Sequence, residues 1–255
     1  MNNTAFPLSR RHTLYFLEQS TQYSPVFLST DIDATAMNTL RATAKGQEQA
    51  EVPGIVAMVM YATGRALANH PDANGVVTGR WRPKLHRFPA VHGKFALDKE
   101  IDGVRCVGSG LIAHAETKSL AQIQSEVRFL KQTPLALWPE FPRLKKLQSL
   151  PVPLGRWLFG KLMSKPTLKH KLQGSFAITS LGQKPVSLLI PQVGASITLG
   201  LGQIQAKALV VKGEVVIRDM LPLTLAFDHR VIDGAEAADL LEELKLGLES
   251  IKADT

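Results

Sequence analysis

The segment Leu221–Gly234, LPLTLAFDHRVIDG, constrains this chain more than any other. Leu221, Leu223, Leu225 and Phe227 alternate with other residues, the pattern of a strand with one face in a core. The apolar run stops at Asp228, His229 and Arg230, and Asp233 and Gly234 follow. Ala235, Ala238, Leu241, Leu244 and Leu248 then fall near helical spacing, so the strand gives way to an amphipathic helix, Ala235–Ile251. A buried strand ending in histidine fixes an imidazole at its exit, and histidine is the side chain that takes and returns a proton near neutral pH.

The residues DHRVIDGA resemble the signature of the dihydrolipoyl acyltransferase catalytic domain, the core of 2-oxoacid dehydrogenase complexes, in the chloramphenicol acetyltransferase-like superfamily. The resemblance implies that His229 is a general base and that Asp233 is a supporting carboxylate holding an arginine and the site's geometry. Near the N-terminus, SRR, a helix and PVFLSTDIDATAM resemble the opening of the same fold, which implies Arg10 or Arg11 as the partner of Asp233. The plainer readings of these residues are a hydrogen-bonded histidine at a strand end and a solvated arginine pair.

Acyl transfer passes through a tetrahedral intermediate with a negative oxygen, which a fixed hydroxyl donor stabilises. The family supplies a Ser or Thr from a segment resembling GxFxIS-x-LG. Gly174, Phe176, Ile178, Thr179, Leu181 and Gly182 match it, which places Thr179 in the donor position, with Ser180 the alternative if the register slips by one. Both hydroxyls also suit a strand-end turn. The resemblance further implies coenzyme A as the acyl-thioester substrate, lipoamide on a separate protein as a possible acceptor, no metal, and a homotrimer in which histidine and hydroxyl come from neighbouring chains.

Length and composition narrow the field. At 255 residues with 45% hydrophobic residues, the chain can bury a sizeable core in one large domain or two small ones. No apolar run is long enough to cross a bilayer, and MNNTAFPLSRRH lacks the apolar stretch of a signal peptide. A single cysteine, Cys106, excludes an intramolecular disulfide and fits a reducing cytoplasm; its apolar surroundings make it a packed thiol rather than a nucleophile. No internal repeat, metal-ligand spacing or Gly-rich phosphate loop is present.

The remaining periodicities predict a helix over Leu8–Gln22 with Ser9 as cap, a strand over Val26–Ile32, and helices over Asp33–Thr43 and Pro53–Asn69. They then predict a short strand within Asn74–Arg82, strands over Lys94–Leu97 and Val104–Ile112 joined by an Asp102–Gly103 turn, and a helix over Ser119–Gln132. Ser175–Ile178, Ala195–Leu201, Ala208–Val211 and Val215–Ile217 complete the set as strands ahead of the motif strand. Without regular βαβ alternation, this order points to an α/β (α+β) sandwich with a mixed sheet and flanking helices, of the chloramphenicol acetyltransferase-like kind.

Pro134–Leu172 departs from the family's usual short connector. It holds Arg143, Lys145, Lys146, Arg156, Lys161, Lys165, Lys169 and Lys171 against Glu140 alone, so +7 of the +8 formal charge sits there. Six prolines and Trp138, Trp157, Phe141 and Phe159 accompany the charge. Such a basic, Pro/Trp-rich insertion at about 134–172 suits an anionic membrane surface, an acidic acyl-carrier or lipoyl domain, CoA phosphates, or simply solvent. No nucleic-acid module accompanies it. Two further departures are expected: no lipoyl or peripheral subunit-binding domain beside a single catalytic-like domain over 1–255, and, from the polar GLESIKADT terminus, a free trimer rather than a larger core. The function expected is a CoA-dependent acyltransferase in the cytoplasm, possibly peripheral to a membrane. The alternatives are an antibiotic-type O-acetyltransferase acting on a small molecule, or a non-catalytic trimeric scaffold.

Overall fold

A computed structural model describes residues 5–46, 51–79 and 81–252. Its frame is a seven-stranded mixed sheet in the order β1-β9-β7-β6-β4-β5, with β8 paired to the projecting half of β9. In chain order the strands are β1 (Pro25–Asp33), β2 (Gly75–Thr78), β3 (Lys84–Arg87), β4 (Gly93–Ile101), β5 (Val104–Ile112), β6 (Phe176–Ser180), β7 (Ile197–Leu201), β8 (Gln205–Val211) and β9 (Glu214–Asp228). Strands β2 and β3 form a separate hairpin. The helices are α1 (Arg11–Ser20), α2 (Thr35–Lys45), α3 (Ile55–Asn69), α4 (Leu120–Gln132), α5 (Phe141–Ser149), α6 (Val152–Met163), α7 (Pro166–Gln173) and α8 (Gly234–Glu249).

The main core lies between the sheet and α2, α3, α4 and α8, with Met58, Met60, Phe95, Phe176, Leu225, Phe227 and Leu244 fully buried. Helix α4 begins with a capping box in which Ser119 and Gln122 satisfy each other's backbone N–H groups. The Asp102–Gly103 turn has both residues at positive φ, the geometry that joins β4 to β5 with the strand twist preserved.

The sheet is mixed and flanked by helices, as the periodicities predict, and four local differences have physical causes. First, Val215–Ile217 and the motif strand are one strand. The polar stretch Arg218–Asp219 reads as a break, but β9 changes partner there, from β8 to β1, and both pairings meet at Met220. Second, Met220–Asp228 is buried on both faces rather than one. The loop from Leu181 to Ser196 crosses the face away from the main core so closely that a Cβ on Gly200 would stand 2.1 Å from the Leu189 carbonyl oxygen. Third, Ser9 does not cap the first helix: residues 8–10 form a 3₁₀ turn behind Pro7, and α1 starts at Arg11 without a side-chain cap. Fourth, the expected Asn74–Arg82 strand is only Gly75–Thr78, because the chain turns back into β3, which the sequence pattern does not announce. Arg80 and the last three residues of GLESIKADT lie outside the described residues.

The Pro134–Leu172 segment is built of α5, α6 and most of α7. Proline opens each of these helices at its first positions, where a missing N–H costs nothing. Helix α6 lies directly on α1 through Gly155, where any Cβ would stand 2.4 Å from the Tyr15 hydroxyl.

Candidate active site

The site starts from a row of backbone at one end of the sheet. The pairings Gly93↔Phe176, Phe176↔Ile197 and Ile197↔Phe227 bring the starts of β4, β6 and β7 level with the end of β9. The preceding polar residues then join across the strands. The Asp228 N–H donates to the Ser196 carbonyl at 3.0 Å, the Ser196 hydroxyl donates to the Ser175 carbonyl at 3.0 Å, and the Ser175 N–H donates to the His92 carbonyl at 2.7 Å. Gly174 makes the approach possible, since it sits at φ 75° and a Cβ there would stand 2.6 Å from the His92 oxygen.

At the β9 end of this row Asp228 is fully buried. Its two oxygens accept from the Arg230 guanidinium at 2.8 and 2.7 Å, a bidentate pair. The Ser24 and Arg230 backbone N–H groups add weaker contacts at 3.3 Å. Hydrogen bonding to Asp228 holds the Arg230 pKa above its ordinary value. Tyr23 lies beneath, its ring centroid 5.5 Å from the Arg230 carbon and its hydroxyl donating to Gly194 at 2.7 Å. Burial, and then the Asp228 charge, push the Tyr23 phenol far above its ordinary range.

His229 continues the β1 ladder for one more step, its N–H donating to the Ser24 carbonyl at 2.9 Å. Its side chain is 45% exposed and its Nδ1 lies 3.4 Å from an Asp233 oxygen. Among the described residues nothing bonds Nε2. Asp233 is 89% exposed at the N-terminal boundary of α8 and makes no side-chain cap there.

The sequence therefore places His229 and Asp233 together. The arginine expected on Asp233 is elsewhere. Arg11 donates to the Gln148 and Leu150 carbonyls at 3.1 and 2.7 Å, and Arg10 is exposed. The α5–α6 connection captures the Arg11 side chain, and within the motif the carboxylate that holds an arginine is Asp228, paired with Arg230. Asp228 is the functional-site residue that the sequence reading missed; the signal was present in its position as the last residue of an otherwise apolar buried strand, where a carboxylate needs a cation.

Thr179 stands apart. It pairs with Gly200 of β7, which pairs with Thr224 of β9, five residues before His229. At ~3.4 Å per residue and ~4.8 Å per strand, Thr179 and His229 of one chain are about 20 Å apart, at opposite ends of the sheet. The half-buried Thr179 hydroxyl has no hydrogen-bond partner among the described residues, whereas Ser180 Oγ accepts from the Gly182 N–H at 3.4 Å.

At the other end of the row, four rings form a column. His170 stacks on Phe88 at 4.0 Å and on His92 at 4.3 Å, and His92 meets His114 edge-on at 5.1 Å. Ser175 Oγ accepts the His92 N–H at 3.0 Å and contacts His170 Nε2 at 3.0 Å. The His114 N–H donates to His92 Nδ1 at 3.2 Å, so that nitrogen carries no proton. Burial lowers both the His92 and His170 pKa values, the latter to about 4. Among the described residues no set of His, Cys, Asp or Glu side chains converges as a metal site, and no helix is long and apolar enough to cross a membrane.

With this geometry in place, comparison with known proteins is decisive. The model of the family described as 2-oxoacid dehydrogenases acyltransferase (catalytic domain) matches residues 3–134 and 163–253. The chain belongs to this family. Residues 135–162, which make up α5 and nearly all of α6, fall outside the match. The dihydrolipoyllysine-residue succinyltransferase component of the 2-oxoglutarate dehydrogenase complex from Haemophilus influenzae is 25% identical over 247 residues, 95% of this chain and 52% of that protein. The acyltransferase-family chain thus spans about half the length of that relative. Among solved structures, a probable dihydrolipoamide acetyltransferase from Listeria monocytogenes aligns at a TM-score of 0.72 and 18% identity, covering 100% of this chain and 97% of that one. A chloramphenicol acetyltransferase aligns at a TM-score of 0.51 and 10% identity, over 96% and 99% of the two chains, which establishes the shared fold.

Proposed function

We propose that this chain catalyses acyl transfer between a CoA or lipoyl thioester and an acceptor, with His229 as general base. The observation that carries the reading is the His229 imidazole: rigidly placed at the end of β9, with Asp233 beside Nδ1 and Nε2 open. Nε2 takes the proton from the attacking thiol, amine or hydroxyl, the acceptor atom bonds to the thioester carbonyl carbon, and the proton passes to the departing thiolate. Asp233 favours the tautomer that leaves Nε2 as acceptor. Thr179 donates to the oxyanion, a role supported by its unengaged hydroxyl.

Because His229 and Thr179 of one chain lie far apart, the complete site needs Thr179 from a second copy, and a trimer closes such a head-to-tail contact. Exposed apolar residues support this assembly: Val215 and Ile217 on the β9 projection, Leu188 and Ile190 on the crossing loop, and Phe27 on β1. The acyl donor is a CoA or lipoyl thioester; the acceptor is lipoamide on a separate protein, another carrier-bound group or a small molecule, and the basic surface of α5–α7 offers complementary charge to an acidic carrier.

Mixed oligomers test the whole reading. His229→Ala lowers thiol release from acyl-CoA by about 10²–10⁴-fold and Thr179→Ala by about 10²–10³-fold. Co-expression of the two variants restores a fraction of sites, because some interfaces pair an intact histidine with an intact threonine. An active His229→Ala protein refutes the base, and absence of complementation refutes the shared site. Light scattering at the mass of three chains checks the trimer.

A further inference from the structure

Beside the motif, a cavity of about 640 Å³ opens between α1, α6, α7 and the end of β2, with Arg230 in its wall. This volume is in the range of sites for small molecules, about 300–1,000 Å³. Phe16, Phe159 and Met163 supply an apolar side, while Gln19, Gln173 and Lys169 supply polar groups. Phe159 and Gly160 come from α6, within the stretch outside the family match, so part of the wall is this chain's own.

Charge around the cavity is unbalanced. Among the described residues no carboxylate lines it. Asp228, outside the lining, pairs with the Arg230 guanidinium and also accepts from the Ser24 and Arg230 N–H groups. Among the described residues Lys169 Nζ makes no hydrogen bond or ion pair, and the Tyr23 ring lies 4.7 Å from it. Just behind the wall, Lys94 donates to Gln173 Oε1 at 2.6 Å and, among the described residues, has no carboxylate partner. Burial pushes both lysines down to about 8; on Lys169 the Arg230 charge adds to this effect and the Asp228 charge opposes it. A partly buried ammonium with no carboxylate in direct contact is unfavourable, and a bound anion relieves it.

We propose that this cavity binds an anionic amphiphile, a carboxylate or phosphate joined to a short apolar chain. Lys169 is the counter-charge, and Phe16, Phe159 and Met163 receive the chain. That the ligand is a substrate of acyl transfer rests on the reading of His229 above; the binding itself does not.

Calorimetric titration of the full chain with hexanoate, hexyl phosphate, 1-hexanol and inorganic phosphate tests it. At least one of the two hexyl anions binds, at least about tenfold tighter than 1-hexanol and than inorganic phosphate. The tighter of the two anions names the headgroup. Lys169→Met weakens that binding by about tenfold or more, and Lys169→Arg retains it. Gly160→Leu abolishes it by filling the cavity; a Cβ there meets only the flexible end of Gln19 at 3.3 Å, so folding survives. His229→Ala binds like the parent, which separates failure of this site from failure of the acyltransferase reading. No binding of either hexyl anion, equal binding of 1-hexanol or of inorganic phosphate, or an unaffected Lys169→Met protein overturns the proposal.

Discussion

Asp228 and His170 stand at the two ends of one hydrogen-bonded row, and their surroundings handle burial in opposite ways. Asp228 has a bidentate guanidinium against it and a backbone N–H from each flanking segment, so a charge is matched by a charge. His170 is packed between Phe88 and His92, where a proton would be placed in an apolar stack beside another imidazole. The first arrangement fixes the backbone that presents His229. The second joins α7, and with it the insertion, to the residue that precedes β4. The contrast shows how a fold keeps polar groups inside: by compensating the charge where a rigid anchor is needed, and by suppressing it where flat rings can pack.

The largest expected effect comes from removing the compensation. Asp228→Ala leaves the Arg230 guanidinium and the Ser24 N–H without their partner. Breaking a buried pair costs about 3–5 kcal/mol, and the partial exposure of Arg230 places this case near 3 kcal/mol. Denaturant unfolding reads it directly; a loss below about 1 kcal/mol would show that the pair does not anchor the strand end.

The second test acts on the suppressed charge. The His170 pKa is about 4 in the folded chain, below its ordinary value of 6.5, so the unfolded chain takes up the proton first as pH falls. Stability is therefore complete above pH 6.5 and declines towards pH 4, by about 2–3 kcal/mol once the partial solvent access of the ring is allowed for. His92, lowered by burial as well, acts in the same direction. His170→Phe keeps the stack and flattens this acid limb in melts taken from pH 7 to 4; an unchanged limb would assign the acid sensitivity to other groups.

The smallest effect on stability separates the two motif carboxylates. Asp233 is almost fully exposed, so Asp233→Ala changes stability by less than about 0.5 kcal/mol. Its expected consequence is in the pH profile of acyl transfer, because in the proposed mechanism Asp233 acts on the His229 tautomer, 3.4 Å from its Nδ1. A Asp233→Ala protein as unstable as Asp228→Ala would make the two carboxylates equivalent and remove the distinction.

Much of this was legible in the chain itself. The alternation of Leu221, Leu223, Leu225 and Phe227, followed by DHRVIDG and helical spacing, determined a buried strand, an exposed imidazole and a helix, because local periodicity decides which face meets a core. The Asp102–Gly103 turn and the Ser119–Gln132 helix were equally local, and the family signature followed from contiguous residues. The sequence also showed where the basic charge is concentrated, although the proline-rich composition of Pro134–Leu172 masked its three helices.

Only the tertiary structure decided which groups meet. His92, His114 and His170 are separated by scores of residues, and nothing in their local patterns brings them into one column. The family pattern pairs Asp233 with an N-terminal arginine, yet Arg11 is held by backbone carbonyls and the buried carboxylate takes Arg230. The separation of His229 from Thr179, and the position of Lys169 beside a cavity without carboxylates, depend on strand register and on α6 lying across α1. Periodicity fixes which side of an element faces inward; which distant charge or ring lies opposite is set by how the elements pack.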